Sequence, residues 1–323
     1  MLEKNTTFAK HEEKKVNQPF AGICSFIKAP ICFNMDNLDA DVAVIGVPYD
    51  MGTTARSGTR FGPRGIREGS MLNSGIDTVY DPERDIVYNI GGKIVDCGDV
   101  DILQGDLNQS FENIEAAVRK VLSKGAVPAI IGGDHSITIP VARAFDYLGP
   151  ICVVHLDAHL DWSNEPGGQR YGHGSPMRRL SEMEHIGEMI QIGLRGVGSS
   201  MKEDFDDARD YGSILMSPRE MRRLGVEKVI ERIPKAQRYF ISIDMDVLDP
   251  PIAPGTGSPQ PGGLLYEELN SILEGVAGKG EVVGFDLVET CPPYDPSGIT
   301  CQYAAQIMFD LICYILKQKE QDS

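Results

Sequence analysis

Eight short apolar runs, rich in β-branched residues and separated by helix-like stretches, constrain this chain more than any other feature. The runs lie at 41–47, 93–95, 127–131, 151–156, 189–193, 213–216, 239–243 and 282–288. Helix-like periodicity occupies 110–124, 137–147, 201–210, 218–234, 265–278 and 300–317, and so alternates with most of them. Runs apolar at nearly every position read as strands buried on both faces. Their alternation with helices predicts an α/β protein: three layers, α/β/α, around one eight-stranded, mostly parallel sheet. A length of 323 residues would by itself allow two domains. Strands that all belong to one sheet predict a single domain over 41–323 instead. Residues 1–40 differ in character, polar and charged over 3–15 and mixed apolar over 20–33. They read as an N-terminal arm, either frayed or packed on a neighbouring subunit. No internal repeat or low-complexity block is present.

Composition excludes several classes. The formal net charge is −16 and no basic cluster is long enough to follow a phosphate backbone, so a nucleic-acid partner is not expected. The same acidity modestly favours a cationic substrate on encounter. No stretch reads as long enough for a membrane span, and the N-terminus lacks a basic segment followed by an apolar core, so neither a membrane nor a signal peptide is expected. The seven cysteines are odd in number and form no Cys-x-x-Cys. Buried free thiols in a reducing cytoplasm are the expectation.

The chemistry lies in a few short runs. One is Gly132-Gly133-Asp134-His135, another Asp157-Ala158-His159-Leu160-Asp161, a third Ser242-Ile243-Asp244-Met245-Asp246 closing with Asp249-Pro250. The two Asp-rich runs directly follow apolar stretches. In extended chain, residues two apart point to one face, and ligands of parallel α/β sheets bind beyond the carboxyl ends of strands. His135, Asp157, His159, Asp161, Asp244 and Asp246 carry four negative charges when every Asp is ionised. One divalent ion would leave two of them buried and uncompensated, which is costly; two ions balance the set. Oxygen and imidazole without thiolate suit Mn²⁺ and tolerate Ni²⁺, Co²⁺ or Zn²⁺. A pair of such ions activates water, so hydrolysis is the expected reaction. Asp134 reads as a cap, and His155, inside the strand, as a core residue or a support for Asp157.

Together, in this order and spacing, Gly-Gly-Asp-His, Asp-Ala-His-x-Asp and Ser-x-Asp-x-Asp-x-x-Asp-Pro resemble the signatures of the ureohydrolase family, which includes arginases, agmatinases and guanidinobutyrases. The resemblance runs from about residue 40 to the C-terminus and includes Ala253-Pro-Gly-Thr-Gly257. It implies the arginase-like three-layer fold, a two-manganese centre held by the six residues above, and a homo-oligomer, trimer or hexamer. It also implies that His173, between two glycines in Arg170-Tyr171-Gly172-His173-Gly174, passes a proton to the departing amine. Glu289, ending the last apolar run, is implied as the acid that grips the guanidinium. Asp161 is a candidate to take the proton of the attacking water. The arginines of 56–67 read as structural or interface groups, and 195–200 lacks the lysine of a phosphate loop.

The expected reaction is hydrolysis of a small guanidino compound to urea and an amine. Where arginases carry Ser-Gly-Asn-Leu-His-Gly, this chain has a stretch from Trp162 to Gly174 of different sequence, which argues against arginine. Agmatine, giving putrescine in polyamine metabolism, is the first expectation, and guanidinobutyrate or another guanidino acid the alternative. Trp162, Glu165, Arg170 and Tyr171 are the candidate substrate contacts, with Glu165 suited to a cationic tail and Arg170 to an anionic one. A single-zinc deacetylase would leave His135, Asp161 and Asp244 without a purpose, and a non-catalytic subunit would leave the whole set without one.

Overall fold

The computed structural model describes residues 18–73 and 77–321. Residues 1–17 of the expected arm, with His11, lie outside the described residues. Further along the arm, Phe26 is buried and its N–H donates to Asp96 Oδ2 at 2.7 Å.

All eight apolar runs form strands of one sheet. They are β1 (Val42–Val47), β4 (Ile94–Asp99), β5 (Val127–Gly132), β6 (Ile151–Leu156), β7 (Ile186–Ile192), β8 (Ile214–Met216), β9 (Arg238–Asp244) and β10 (Glu281–Val288). Their order is β4-β1-β5-β10-β9-β6-β7-β8 and every pairing is parallel. β1, β5 and β6 are buried at every position because helices cover both faces. The period of two sorts their side chains between two cores. Val42 and Val44 face α1 (Gly62–Ser70), α8 (Tyr266–Ala277) and α9 (Ile299–Gln321), whereas Ala43 and Ile45 face α2 (Leu107–Leu122) and α3 (Thr138–Arg143).

The differences from expectation are local. The helix expected over 218–234 is two, α6 (Pro218–Leu224) and α7 (Val226–Arg232), because Gly225 at φ +86° breaks it. The helix expected over 137–147 ends at Arg143. A hairpin, β2 (Thr78–Asp81) and β3 (Ile86–Asn89), stands apart from the main sheet and was not anticipated. Its four-residue strands are half exposed and too short for a legible period. So too were α4 (Pro176–Leu180) and α5 (Lys202–Tyr211) different in legibility, the first unread and the second anticipated within a residue. The expectation that no stretch is long enough for a membrane span is corrected by Ile299–Glu320, 22 helical residues long and apolar enough to cross one. This helix is mostly buried inside the protein and packs on α1, α8 and β10, which makes it a core helix.

Candidate active site

β5, β10, β9 and β6 are consecutive neighbours at the middle of the sheet, and their carboxyl ends carry His135, Glu289, Asp244 with Asp246, and Asp157 through Asp161 respectively. The local turns follow from side-chain capping. Asp134 Oδ1 accepts from Ser136 N at 2.9 Å and opens the turn that carries His135. Asp244 Oδ1 accepts from Asp246 N at 2.8 Å and folds β9 into its terminal turn. Each is the short bond by which an aspartate starts a turn.

These turns build two adjoining cages. His135 Nδ1 lies 3.1 Å from Asp157 Oδ2, 3.0 Å from Asp161 Oδ2 and 3.3 Å from Asp244 Oδ2. His159 Nδ1 lies 3.4 Å from Asp157 Oδ1 and 3.0 Å from Asp246 Oδ2. Asp157 gives one oxygen to each cage. Ser242 Oγ donates to Asp286 Oδ1 at 2.7 Å, so at 2.9 Å it receives the Nε2–H of His135. The Nδ1 lone pair of His135 therefore faces three carboxylate oxygens, and this buried atom has no hydrogen-bond partner. Lone pairs collected in this way repel unless a cation sits among them. Two ligands about 2.1 Å from one ion are about 3.0 Å apart at a right angle and about 3.4 Å apart at a tetrahedral one, which is the spread found here. The donor set fits two hard or borderline divalent ions.

Electrostatics point the same way. Burial, with the neighbouring Asp246 and Asp157, holds the Asp244 carboxyl well above the ordinary range. Burial and Asp157 push Asp246 up to about 6. Behind the cages, Gln191 Nε2 donates to His155 Nδ1 at 3.0 Å, so His155 Nε2–H donates to Asp157 Oδ2 at 2.8 Å. His155 thus orients Asp157 from the core, the kind of outer support that ligating groups use.

His173 and Glu289 meet at the cavity wall. His173 Nδ1 is 3.0 Å from Glu289 Oε1, and the His135 N–H donates to the same oxygen at 3.0 Å. Burial alone would lower the His173 imidazole, but the bond and charge of Glu289 outweigh it and push it up to about 9. Glu289 and Asp161 hold φ at +60° and +53°, a costly backbone for non-glycine residues. Both stand at the cavity of about 360 Å³, whose inner wall also includes His159, Asp244, Asp246 and His173. Its outer wall is uncharged and mostly polar: Thr54, Ser163, Gln169, Ser199, Ser200, Ser258 and Gln260, with Pro166 and glycines between them.

Four expected substrate contacts need correction. Trp162 is 1% exposed and its Nε1 donates to Asp207 Oδ2 at 2.7 Å, on the core side of the loop. Tyr171 packs edge-on to Phe111 beneath the Arg143 guanidinium. Arg170 is paired with Glu182 at 2.8 Å near the surface. Glu165 is exposed at the turn Pro166–Gly168 and is not among the lining residues. The loop after Asp161 turns over at its glycines, so Ser163, Pro166, Gln169 and Gly172 face the cavity in their place. Ser199, Ser200, Ser258 and Gln260 were missed. They follow the carboxyl end of β7 and the Ala253–Gly257 tract, and that placement was the available signal.

Residues 40–313 match the family model described as Arginase family. The chain is similar to guanidinopropionase of Pseudomonas aeruginosa, 37% identical over 302 residues that cover 92% of each chain. It is similar to the mitochondrial agmatinase of Gallus gallus, 34% identical over 91% of this chain and 86% of that one. The solved structure of proclavaminate amidino hydrolase from Streptomyces clavuligerus superposes with a TM-score of 0.81 at 36% identity, covering 93% of this chain and 99% of that one.

Proposed function

The chain belongs to the arginase family of hydrolases acting on guanidino and amidino compounds, and from that premise we propose that it hydrolyses a small guanidino compound to urea and an amine. The observation that carries this reading is the His135 Nδ1 lone pair facing three carboxylates, with Asp157 shared between two cages. His135, Asp157, Asp161 and Asp244 would hold one ion, and His159, Asp157 and Asp246 the other, with Mn²⁺ the best fit and Ni²⁺ the next. When bound, such a pair supplies an activated water and positive charge beside the reacting carbon.

The protein's own groups do the rest. A guanidinium is a poor electrophile because its charge is spread over three nitrogens, so it must be held close. Glu289 Oε1 is already taken by two donors, the His135 N–H and His173. Its Oε2 is left to accept from the planar guanidinium and hold the carbon over the cages. Asp161 would accept the proton that the attacking water gives up, and His173 would deliver one to the departing nitrogen.

The outer wall bears on the tail. Among the described residues lining it none is a carboxylate, and Glu165 lies elsewhere. Hydroxyl and amide donors suit a carboxylate tail, so a short guanidino acid is the first reading. Agmatine, the first expectation from the sequence, becomes the second reading, because the same hydroxyls and amides also accept hydrogen bonds from an ammonium. Seven free cysteines support placement in a reducing cytoplasm, and a homo-oligomer of three or six subunits is proposed with it. The test is urea release from agmatine, 3-guanidinopropanoate, 4-guanidinobutanoate and arginine by Mn²⁺-loaded and chelator-stripped enzyme. Metal-dependent release from a guanidino acid, faster than from agmatine, is expected. No urea from any guanidine would sink the hydrolase reading, and faster release from arginine would sink the reading of the tail.

A further inference from the structure

Thr54 makes two contacts with one atom of His173. Its backbone N–H is 3.1 Å from His173 Nε2, and its Oγ1 is 2.9 Å from the same nitrogen. The two contacts cannot be used alike. A backbone N–H only donates, so it needs a lone pair on Nε2 and the neutral ring, with the proton on Nδ1 toward Glu289. A hydroxyl donates or accepts, so it can also receive a proton-bearing Nε2. Thr54 therefore offers His173 a partner in either protonation state.

The loop that carries Thr54 is anchored on both sides. Gly52 N donates to the buried Asp134 Oδ2 at 2.7 Å, and Gly52 O accepts from His173 N at 3.0 Å. A Cβ at Gly52 would stand 2.6 Å from Ser136 Oγ, so only glycine fits this close approach. On the far side, Asp50 Oδ2 accepts from Gly58 N at 2.8 Å, and Asp50 Oδ1 from Arg60 Nε at 2.6 Å. Backbone and side chain of the loop thus converge on one histidine 119 residues away.

We infer that Thr54 is a positioning residue for His173, fixing the imidazole against Glu289 and giving Nε2 a hydrogen-bond partner both before and after the ring gives up its proton. This rests on the proton-donor reading of His173. Thr54 acts from one edge of the ring, while the carboxylates that bear on it are Glu289, Asp134 and Asp161. All three favour the charged ring. The Thr54 N–H is the group that favours the neutral one, and the Thr54 hydroxyl is the acceptor for the charged one. Without the hydroxyl, the charged ring would keep Glu289 but lose its partner at Nε2, and its orientation would loosen.

The experiment compares Thr54→Val and Thr54→Ser, each in wild-type and His173→Ala backgrounds, using full-length Mn²⁺-loaded enzyme. Urea release is followed across pH with 3-guanidinopropanoate, 4-guanidinobutanoate and agmatine, and metal content is measured alongside. Thr54→Val should lower kcat about 2- to 13-fold, the worth of one hydrogen bond, with metal content unchanged. The pH limb that His173→Ala removes should move toward lower pH. Thr54→Ser should restore kcat to within about twofold, because it returns the hydroxyl. In the His173→Ala background Thr54→Val should add nothing further, the mark of two residues acting as one. An equal loss in that background, or an unchanged kcat and pH profile in Thr54→Val, overturns the inference. If His173→Ala itself leaves turnover intact, the proton-donor reading fails and takes this inference with it. If His173→Ala is impaired while Thr54→Val is silent, only the role of Thr54 fails.

Discussion

Glu289→Gln tests how the site holds its substrate, because the structure dictates which way the new amide must turn. Two donors, the His135 N–H and His173 Nδ1, both lie 3.0 Å from Oε1. In the variant only the amide oxygen can accept from them, so it must occupy the Oε1 position. The amide NH₂ then takes the place of Oε2 and points donors at the donors of the guanidinium. The change removes a charge-assisted hydrogen bond and installs a mismatch while leaving volume nearly constant. A hydrogen bond to a charged group is worth about 1.5–3 kcal/mol, and 1.4 kcal/mol is tenfold. A fall in kcat/KM of about 10- to 150-fold is therefore expected, expressed largely in KM, since the contact is made in ground and transition states alike. Because Glu289 stands outside both cages, metal content should be unchanged. Urea-release kinetics beside elemental analysis would decide it. An unchanged kcat/KM would refute the guanidinium-holding role, and loss of metal would move Glu289 into the metal site.

Asp157→Ala should lose both ions, since each of its oxygens serves a different cage, whereas His159→Ala should keep about one; elemental analysis after desalting distinguishes them, and two ions retained in Asp157→Ala would contradict the shared-carboxylate geometry. Gly133→Ala should lower Tm and activity together, because a Cβ there would lie 1.9 Å from Tyr49 O, and overpacking of this kind costs about 1–3 kcal/mol or more; a wild-type Tm would show that the backbone yields. Burial alone would raise the carboxyls of Asp50 and Asp295, but Arg60 with the Gly58 N–H, and Ser297 with Thr300, hold both below the ordinary range. A depressed folded value contributes stability that is present above the unfolded value of about 3.9 and lost as pH falls through the folded one. Urea midpoints should therefore hold at pH 5 and decline below about pH 4, with a shallower decline in Asp50→Asn. An equal slope in that variant would remove Asp50 from the acid response.

How much of this was legible follows the range of the interactions involved. The eight strands and the six cage residues could be read from the chain because their signals are local. An apolar run declares a buried strand, and Asp-x-His-x-Asp declares chemistry, since such groups at a strand end weaken a core unless they bind something. Even the capping role of Asp134 and the supporting role of His155 could be read, each from its immediate neighbours. The hairpin β2–β3 could not, because four half-exposed residues carry no clear period. Tertiary structure alone decided the rest. The strand order sets Glu289 between His135 and Asp244, although 154 residues separate it from His135. The turn of the loop after Asp161 sends Trp162 into the core and Ser163 to the cavity, so the cavity contact expected of Trp162 falls to its neighbour. The outer wall is assembled from four separate loops, and Thr54 reaches His173 from a loop that Asp134 and Asp50 anchor on either side. Local pattern selects the residues able to do this chemistry; long-range packing of the backbone decides which of them face one another.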